Sequence, residues 1–336
     1  MNSILLMHMS DGLVSINISL IFTIIALLMM GFSIKQLTKQ QDISKIPMMA
    51  VMAAFVFAGQ MINFTIPGTG SSGHLGGAIL LCLILGPYAG FLSLCTVLII
   101  QCLFFGDGGL LALGCNIFNM GVLPCFVAYP LIAKPLLKIL NRPRLILASI
   151  LTAVIGLELG ALAVVLETVA SGISSLPFTS FVILMLPIHL IIGLVEGIIT
   201  ALVTGYVYQD NPGIIKTALS NQTYQGIELK RPLLILALSA LLIGGGLSLY
   251  ASSNPDGLEW SILNVTGNSE VVSTDETKEQ ISSIQENTAI LPDYNFKNAD
   301  GLLGTSFSGV VGVGLTFVIV GAIGLAICHK RHEKNN

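Results

Sequence analysis

Hydrophobic positions in this chain fall in long unbroken blocks, and that pattern decides its class. An α-helix needs about 20 apolar residues to cross a bilayer. Blocks of this kind occupy residues 13–34, 46–64, 77–105, 111–133, 145–169, 179–208, 231–250 and 308–328. The block 77–105 is long for one crossing and is interrupted by Gly86-Pro87-Tyr88-Ala89-Gly90. Charge decides how to divide it. Lys35, Lys39 and Lys45 mark the first connecting loop as cytoplasmic, and Lys134, Lys138, Arg142 and Arg144 mark a later one. Only an even number of crossings separates two loops on one side. The block is therefore expected to be a helical hairpin turning at Gly86-Pro87, with a short first arm.

That division gives an all-α polytopic membrane protein of nine spans, with the N-terminus outside. The C-terminus, with Lys330, Arg331 and Lys334, is then inside. The polar stretch 210–230, which opens with Asp210-Asn211-Pro212-Gly213 and carries Lys216 and Lys230, predicts a cytoplasmic linker. It would join a seven-helix body (7–209) to a two-helix tail (231–330). On this topology His8, His74, the turn Gly106-Asp107-Gly108-Gly109 and the segment 251–307 all lie on the outer side.

Composition agrees with the pattern. The 336 residues are 54% hydrophobic and 10% charged, with a mean hydropathy of +0.86; a soluble domain carries about 25% charge. The net charge of −3 hides an uneven distribution. Residues 251–307 hold nine acids against Lys278 and Lys297, a net of −7. By itself such a segment reads as a solvated loop or an ion funnel. The six cysteines form no CxxC pair and read as small apolar residues rather than a zinc or disulfide framework. Met1–Leu6 lacks the basic start of a cleavable signal peptide. No Gly-Lys-Ser/Thr occurs, so the chain does not hydrolyse ATP through a P-loop.

Candidate chemistry gathers near the front. In Met7-His8-Met9-Ser10-Asp11-Gly12, a Met-His pair at a free N-terminus is a chelator. Its amine, the ionised amide of His8 and the His8 imidazole close two fused rings around one metal ion. A fourth nitrogen would complete the square plane favoured by Ni(II) and Cu(II). His74, within Ser71-Ser72-Gly73-His74-Leu75-Gly76-Gly77, is either such a ligand or an ordinary loop histidine. Asp11 either orients His8 or caps the helix that follows. Asn116 and Asn119 are three apart, so they are expected to share one helix face. They either bind neighbouring helices or, with Asp107, support the ligand loop and His74. Glu158, Glu167, His189 and Glu196 are intramembrane ionisable residues. Glu158 with Glu196 either forms a proton-coupling pair or bonds to nearby backbone and helices.

Three motifs in order then carry a resemblance. Met7–Gly12, Ser72–Gly77 and Phe105–Met120 (Phe-Gly-Asp-Gly-Gly-Leu-Leu-Ala-Leu-Gly-Cys-Asn-Ile-Phe-Asn-Met) resemble the metal-specific substrate-binding component of energy-coupling factor transporters for cobalt and nickel. Pro187–Gly197 is similar to that family too, and the likeness covers residues 7–209. Asn254-Pro255-Asp256-Gly257-Leu258-Glu259 resembles the Pro-Asp-Gly-Leu-Glu signature of the small accessory component, and Leu291-Pro292-Asp293-Tyr294 fits the same module.

The resemblance implies a fusion of the two components. It implies a metal bound by the Met7 amine, the His8 amide and imidazole, and His74, with Asp11, Asp107, Asn116 and Asn119 in support. It also implies a transmembrane coupling protein and ATP-hydrolysing subunits as partners in the lipid bilayer, with no nucleic acid and no catalytic cofactor. The cargo would be Ni(II) or Co(II), the latter serving cobalamin biosynthesis, and the accessory signature tilts the expectation to nickel. Because the chelate needs a free Met7 amine, Met7 is expected to be the true start, with Met1–Leu6 absent from the mature chain. Two other functions compete: a proton-coupled secondary transporter using Glu158 and Glu196, and a membrane metalloenzyme using His8 and His74.

Overall fold

A computed structural model describes residues 8–40, 42–173, 175–224, 226–269, 271, 276–297 and 301–329. Helices dominate because the apolar blocks leave backbone groups no partner but one another inside a bilayer. Among the described residues seven helices are long and apolar enough to cross a membrane. The protein is an all-α, multi-pass membrane protein.

The first helix, α1 (Ile16–Gln40), leads through a short turn to α2 (Ile46–Gln60). α2 is apolar all round and correspondingly buried all round, with Met48, Met52, Ala53 and Val56 at 0% exposure. Where an apolar block was expected to run on to residue 64, the helix stops. Two three-residue strands follow, β1 (Phe64–Ile66) and β2 (Ser71–Gly73), paired antiparallel with Phe64 opposite Gly73 and Ile66 opposite Ser71.

Next come α3 (Ala78–Leu85) and α4 (Pro87–Ile100). Gly86, at φ +82°, makes the turn between them in a conformation open chiefly to glycine. Gly90 lies against the backbone of Leu81 and Cys82, so the chain reverses direction here rather than kinking. Eight helical residues rise only about 12 Å. The loop preceding α3, which carries His74, is therefore set down inside the depth of the bundle.

α4 runs on as a π-helical turn, Gln101–Phe105. The following span, Leu113–Leu136, changes winding along its length: α5 (Leu113–Ile117), two π-helical stretches (Phe118–Val122 and Pro124–Ala133), and α6 (Lys134–Leu136). Two long helices, α7 (Arg142–Ala170) and α8 (Phe178–Asp210), pack closely, with Gly193 and Gly197 against Val154 and Ile150.

A short helix, α9 (Pro212–Ser220), begins the connection to α10 (Lys230–Gly245). Tyr224 in this connection is 1% exposed. Its amide donates to Asp42 Oδ2 at 2.7 Å, and its hydroxyl donates to the Ile84 carbonyl. Lys45 Nζ sits 5.2 Å from its ring centroid.

α10 and the last helix, α13 (Leu302–His329), pack on α2. Between them the acidic segment folds into α11 (Gly257–Thr266) and α12 (Glu276–Thr288). The expectation of a solvated loop is corrected here: Asp256 and Glu259 are each 5% exposed and Tyr294 9%. Lys45, Tyr224 and the Gly86 turn lie at one end of the bundle, with the acidic segment at the other.

Candidate metal site

The described chain begins at His8; Met7 and the leader Met1–Leu6 lie outside the described residues. Residues 8–14 do not float. The Met9 amide donates to Asn116 Oδ1 and Asn116 Nδ2 donates back to the Met9 carbonyl, both at 3.1 Å. The same carbonyl accepts from the Gly109 amide at 3.0 Å. Met9, Leu13 and Val14 are buried at 1%, 1% and 0% exposure. This anchoring carries the His8 ring inward to 4% exposure.

His8 Nδ1 lies 3.0 Å from Asp107 Oδ1, and Asp107 Oδ2 accepts from the Tyr294 hydroxyl at 2.6 Å. Burial opposes a protonated His8 ring, but the charge and hydrogen bond of Asp107 outweigh it and raise the His8 pKa. Asp107 is likewise buried, and its pairing with His8 pulls its pKa down. Tyr294 stacks on Phe105 with centroids 4.8 Å apart. A residue of the acidic segment is thus hydrogen-bonded to the partner of a candidate ligand. Nothing in the local sequence around Tyr294 announces a bond to a residue 187 positions away.

His74 follows β2 in the loop that leads into α3. Its ring centroid lies 5.5 Å from that of His8, at 54°. The loop is clamped from two sides. Glu196 of α8 accepts the amides of Gly76 and Gly77, each at 3.0 Å. Across from it, the accessory segment lines the β-hairpin like an added strand. Ser72 N donates to the Pro255 carbonyl at 2.8 Å, and Ser252 N to the Asn63 carbonyl at 2.7 Å. Trp260 Nε1 donates to the Thr69 carbonyl at 3.0 Å.

The Pro255–Glu259 signature has a physical reading here. Asp256 and Glu259 form a reciprocal capping box at the start of α11. Gly257 packs so closely on α8 that a Cβ would stand 2.8 Å from Ile192 Cδ1 and 3.0 Å from His189 Cε1. Asp256 Oδ2 is thereby brought 3.8 Å from His74 Nε2. Burial pushes the Asp256 carboxyl up to about 7.

Several expectations are corrected by these contacts. Asp11 neither orients His8 nor caps α1; its Oδ1 accepts the Ala112 amide at 3.0 Å. Asn116 holds the ligand loop, but Asn119 does not: it donates to Glu167 Oε2 on α7 at 2.8 Å. Both side chains line one cavity, so it is their hydrogen-bond partners, Met9 and Glu167, that divide them. Glu196 is a backbone clamp with both oxygens engaged, which argues against its pairing with Glu158 for proton coupling. His189, named from the sequence only as an intramembrane ionisable residue, lines the same cavity as His8 and His74. That cavity, of about 90 Å³, is also lined by Asn116, Asn119, Glu196 and Asp256.

What this arrangement can hold follows from its donors. Among the described residues no three His, Cys, Asp or Glu side chains are grouped as metal ligands would be. Two imidazoles therefore need backbone or terminal nitrogen to complete a plane. If the His8 amide binds, ring closure on the same residue can use only Nδ1. Loading would then exchange the Asp107 contact for the metal ion.

A helical bundle that plugs its N-terminal loop inward and brings two histidines together defines a membrane component that handles a metal ion. Residues 8–214 match the family described as the cobalt uptake substrate-specific transmembrane region, and residues 230–329 match the PDGLE domain. The chain belongs to that family, with the PDGLE domain fused behind it.

A putative fused nickel transport protein of Archaeoglobus fulgidus is 33% identical over 96% of this chain and 98% of its own length. A cobalt transport protein of Sorangium cellulosum is 27% identical over 62% of this chain and 92% of its own. Among solved structures, a truncated transition metal transporter superposes with a TM-score of 0.54 at 33% identity. It spans 61% of this chain and 99% of that one. The protein is a metal-uptake transport component.

Proposed function

We propose that the chain is the substrate-specific subunit of an energy-coupling factor transporter and captures Ni(II) in preference to Co(II). The donors are the Met7 amine, the His8 amide and Nδ1, and His74. The observation that carries this reading is the meeting of His8 and His74, 5.5 Å apart, in a buried cavity where Asn116 pins the adjacent Met9.

A planar field with an ionised amide splits the metal d-orbitals strongly and favours spin-paired d8 nickel. Cu(II) would bind such a plane more tightly still, so selectivity in the cell rests on availability as well as geometry. The fused nickel transport relatives support the same choice. The basic loops at one end of the bundle support a reading with that end in the cytoplasm and the proposed metal site towards the outside. Energy comes from partner subunits that hydrolyse ATP, through a coupling protein in the membrane.

The test is nickel titration of the full chain alongside the His8→Ala and His74→Ala variants. Each substitution is expected to weaken binding at least about 100-fold, since losing even an outer partner of a metal ligand costs about 10–100-fold. Wild-type affinity in either variant would place the site elsewhere. Loaded protein should be diamagnetic, with four nitrogen donors by X-ray absorption, and its intact mass should begin at Met7. Oxygen-rich six-coordinate nickel, or cobalt retained from an equal mixture, would reverse the choice of metal. A mass that includes Met1–Leu6 with metal bound would remove the amine from the ligand set.

A further inference from the structure

A basic hollow opens at the end of the bundle away from the histidines, and we infer that it binds the headgroup of an anionic phospholipid. The inference is independent of the metal-uptake reading. The hollow, of about 690 Å³, lies where the span Leu113–Leu136 ends beside α9. Lys134 and Lys138 come from the end of that span, and Lys216 comes from α9. A Cβ on Gly86 would stand 3.2 Å from the Ala218 carbonyl oxygen, so α9 is seated on the α3–α4 turn at this end.

The charge of the lining is of one sign. Three ammonium groups line the hollow and no acid does. Among the described residues none of the three has a carboxylate partner. A bias of lysines to one side of a membrane requires only that they lie on that side. It does not require two stretches of chain to bring theirs around one hollow without an acid. Like charges gathered in this way repel, and an anion among them relieves the repulsion.

The apolar part of the lining selects among anions. Leu137, Leu140 and Leu219 line the same hollow. Leu131 and Ile139, on the same stretch of chain, are 70% and 60% exposed, as side chains against acyl chains are. α9 is amphipathic, with Ile214, Ile215 and Ala218 buried and Lys216 exposed, the pattern of a helix lying along a membrane surface. A free phosphate would use the ammonium groups and leave the leucines bare. A phospholipid uses both, with its phosphate among the lysines and the start of its acyl chains on the leucines. Basic pockets at the ends of spanning helices hold acidic lipid headgroups on this principle.

The test uses the full chain in nanodiscs of equal parts phosphatidylglycerol and phosphatidylcholine. Native mass spectrometry then reads the lipid that the protein retains on transfer to detergent. Wild type is expected to retain phosphatidylglycerol at least about tenfold more often than phosphatidylcholine. The triple substitution Lys134→Gln, Lys138→Gln, Lys216→Gln should reduce that preference about tenfold. The same loss of charge at Lys35, Lys39 and Lys230, which are also exposed, should leave it unchanged. Lys216→Gln alone should reduce it part-way, and this single change on the exposed side of α9 keeps the test decisive if the triple variant does not fold. Excess inorganic phosphate should not displace the lipid. Equal retention of the two lipids by wild type, a preference kept by the Lys216 variant, or the same loss in the Lys35 set would overturn the inference. Displacement by phosphate would overturn it too, since the hollow would then take a free anion. Should the triple variant keep the lipid preference yet fail to assemble with partner subunits, the hollow would be a protein interface and the inference would fall.

Discussion

Asn116 and Asn119 sit three positions apart and serve different structures, which single substitutions can separate. Asn116 makes a reciprocal pair with Met9, so Asn116→Ala frees the segment that presents His8. Nickel affinity is expected to fall about 10–100-fold, in line with losses of groups that orient metal ligands. Asn119→Ala leaves the Glu167 carboxylate inside the bundle without its 2.8 Å donor. That change should cost about 1–3 kcal/mol of stability and leave nickel affinity within a few-fold of wild type. Calorimetric titration and thermal unfolding of both variants give the comparison; affinity lost equally in both would mean that Asn119 also supports the loop. The sequence motif named both residues but not their division, because the partners that divide them, Met9 and Glu167, lie 107 and 48 positions away.

At the scale of elements, the α8 carboxylate that clamps the β2–α3 loop gives a graded test. Glu196→Gln keeps one acceptor oxygen for the Gly76 and Gly77 amides, whereas Glu196→Ala keeps none. Nickel affinity should decline in that order, with the alanine variant reduced by about 10–100-fold. Equal affinities in all three proteins would show that the accessory strand alone fixes His74.

The long spans were legible because a bilayer crossing imposes both length and apolarity on one continuous block. The hairpin of Phe64–Ile66 and Ser71–Gly73 was not, since three-residue strands have no periodicity to detect. Nor was the docking of the acidic segment. Its capping box is local, but Gly257 on His189, Gln285 on the Cys102 and Gly108 carbonyls, and Tyr294 on Asp107 are all made by chain distant in sequence. Charge density made that segment look solvated, whereas among the described residues its acids divide into a buried pair, Asp256 and Glu259, that caps α11, and four exposed ones.

For the molecule as a whole, the acidic segment covers the end that carries His8 and His74 while its flanking helices pack on α2. Deleting residues 251–307 removes the contacts of Pro255 with Ser72 and of Tyr294 with Asp107, and is therefore expected to cut nickel uptake by cells as well as to weaken equilibrium nickel binding by the purified chain about 10–100-fold. Uptake of radioactive nickel at normal rates after the deletion would refute a role for the segment in transport. The connection that joins the two parts has its own consequence. Tyr224 is fastened between Asp42 and the end of α3, so the accessory helices leave the body from a fixed point. An accessory subunit made as a separate chain would be lost on dilution, in proportion to its dissociation constant. Tethering replaces that bimolecular equilibrium with a constant effective concentration, in the millimolar range for short linkers. Assembly of the two parts here is thus independent of expression level, their ratio is locked at one to one, and no other body can borrow this accessory module.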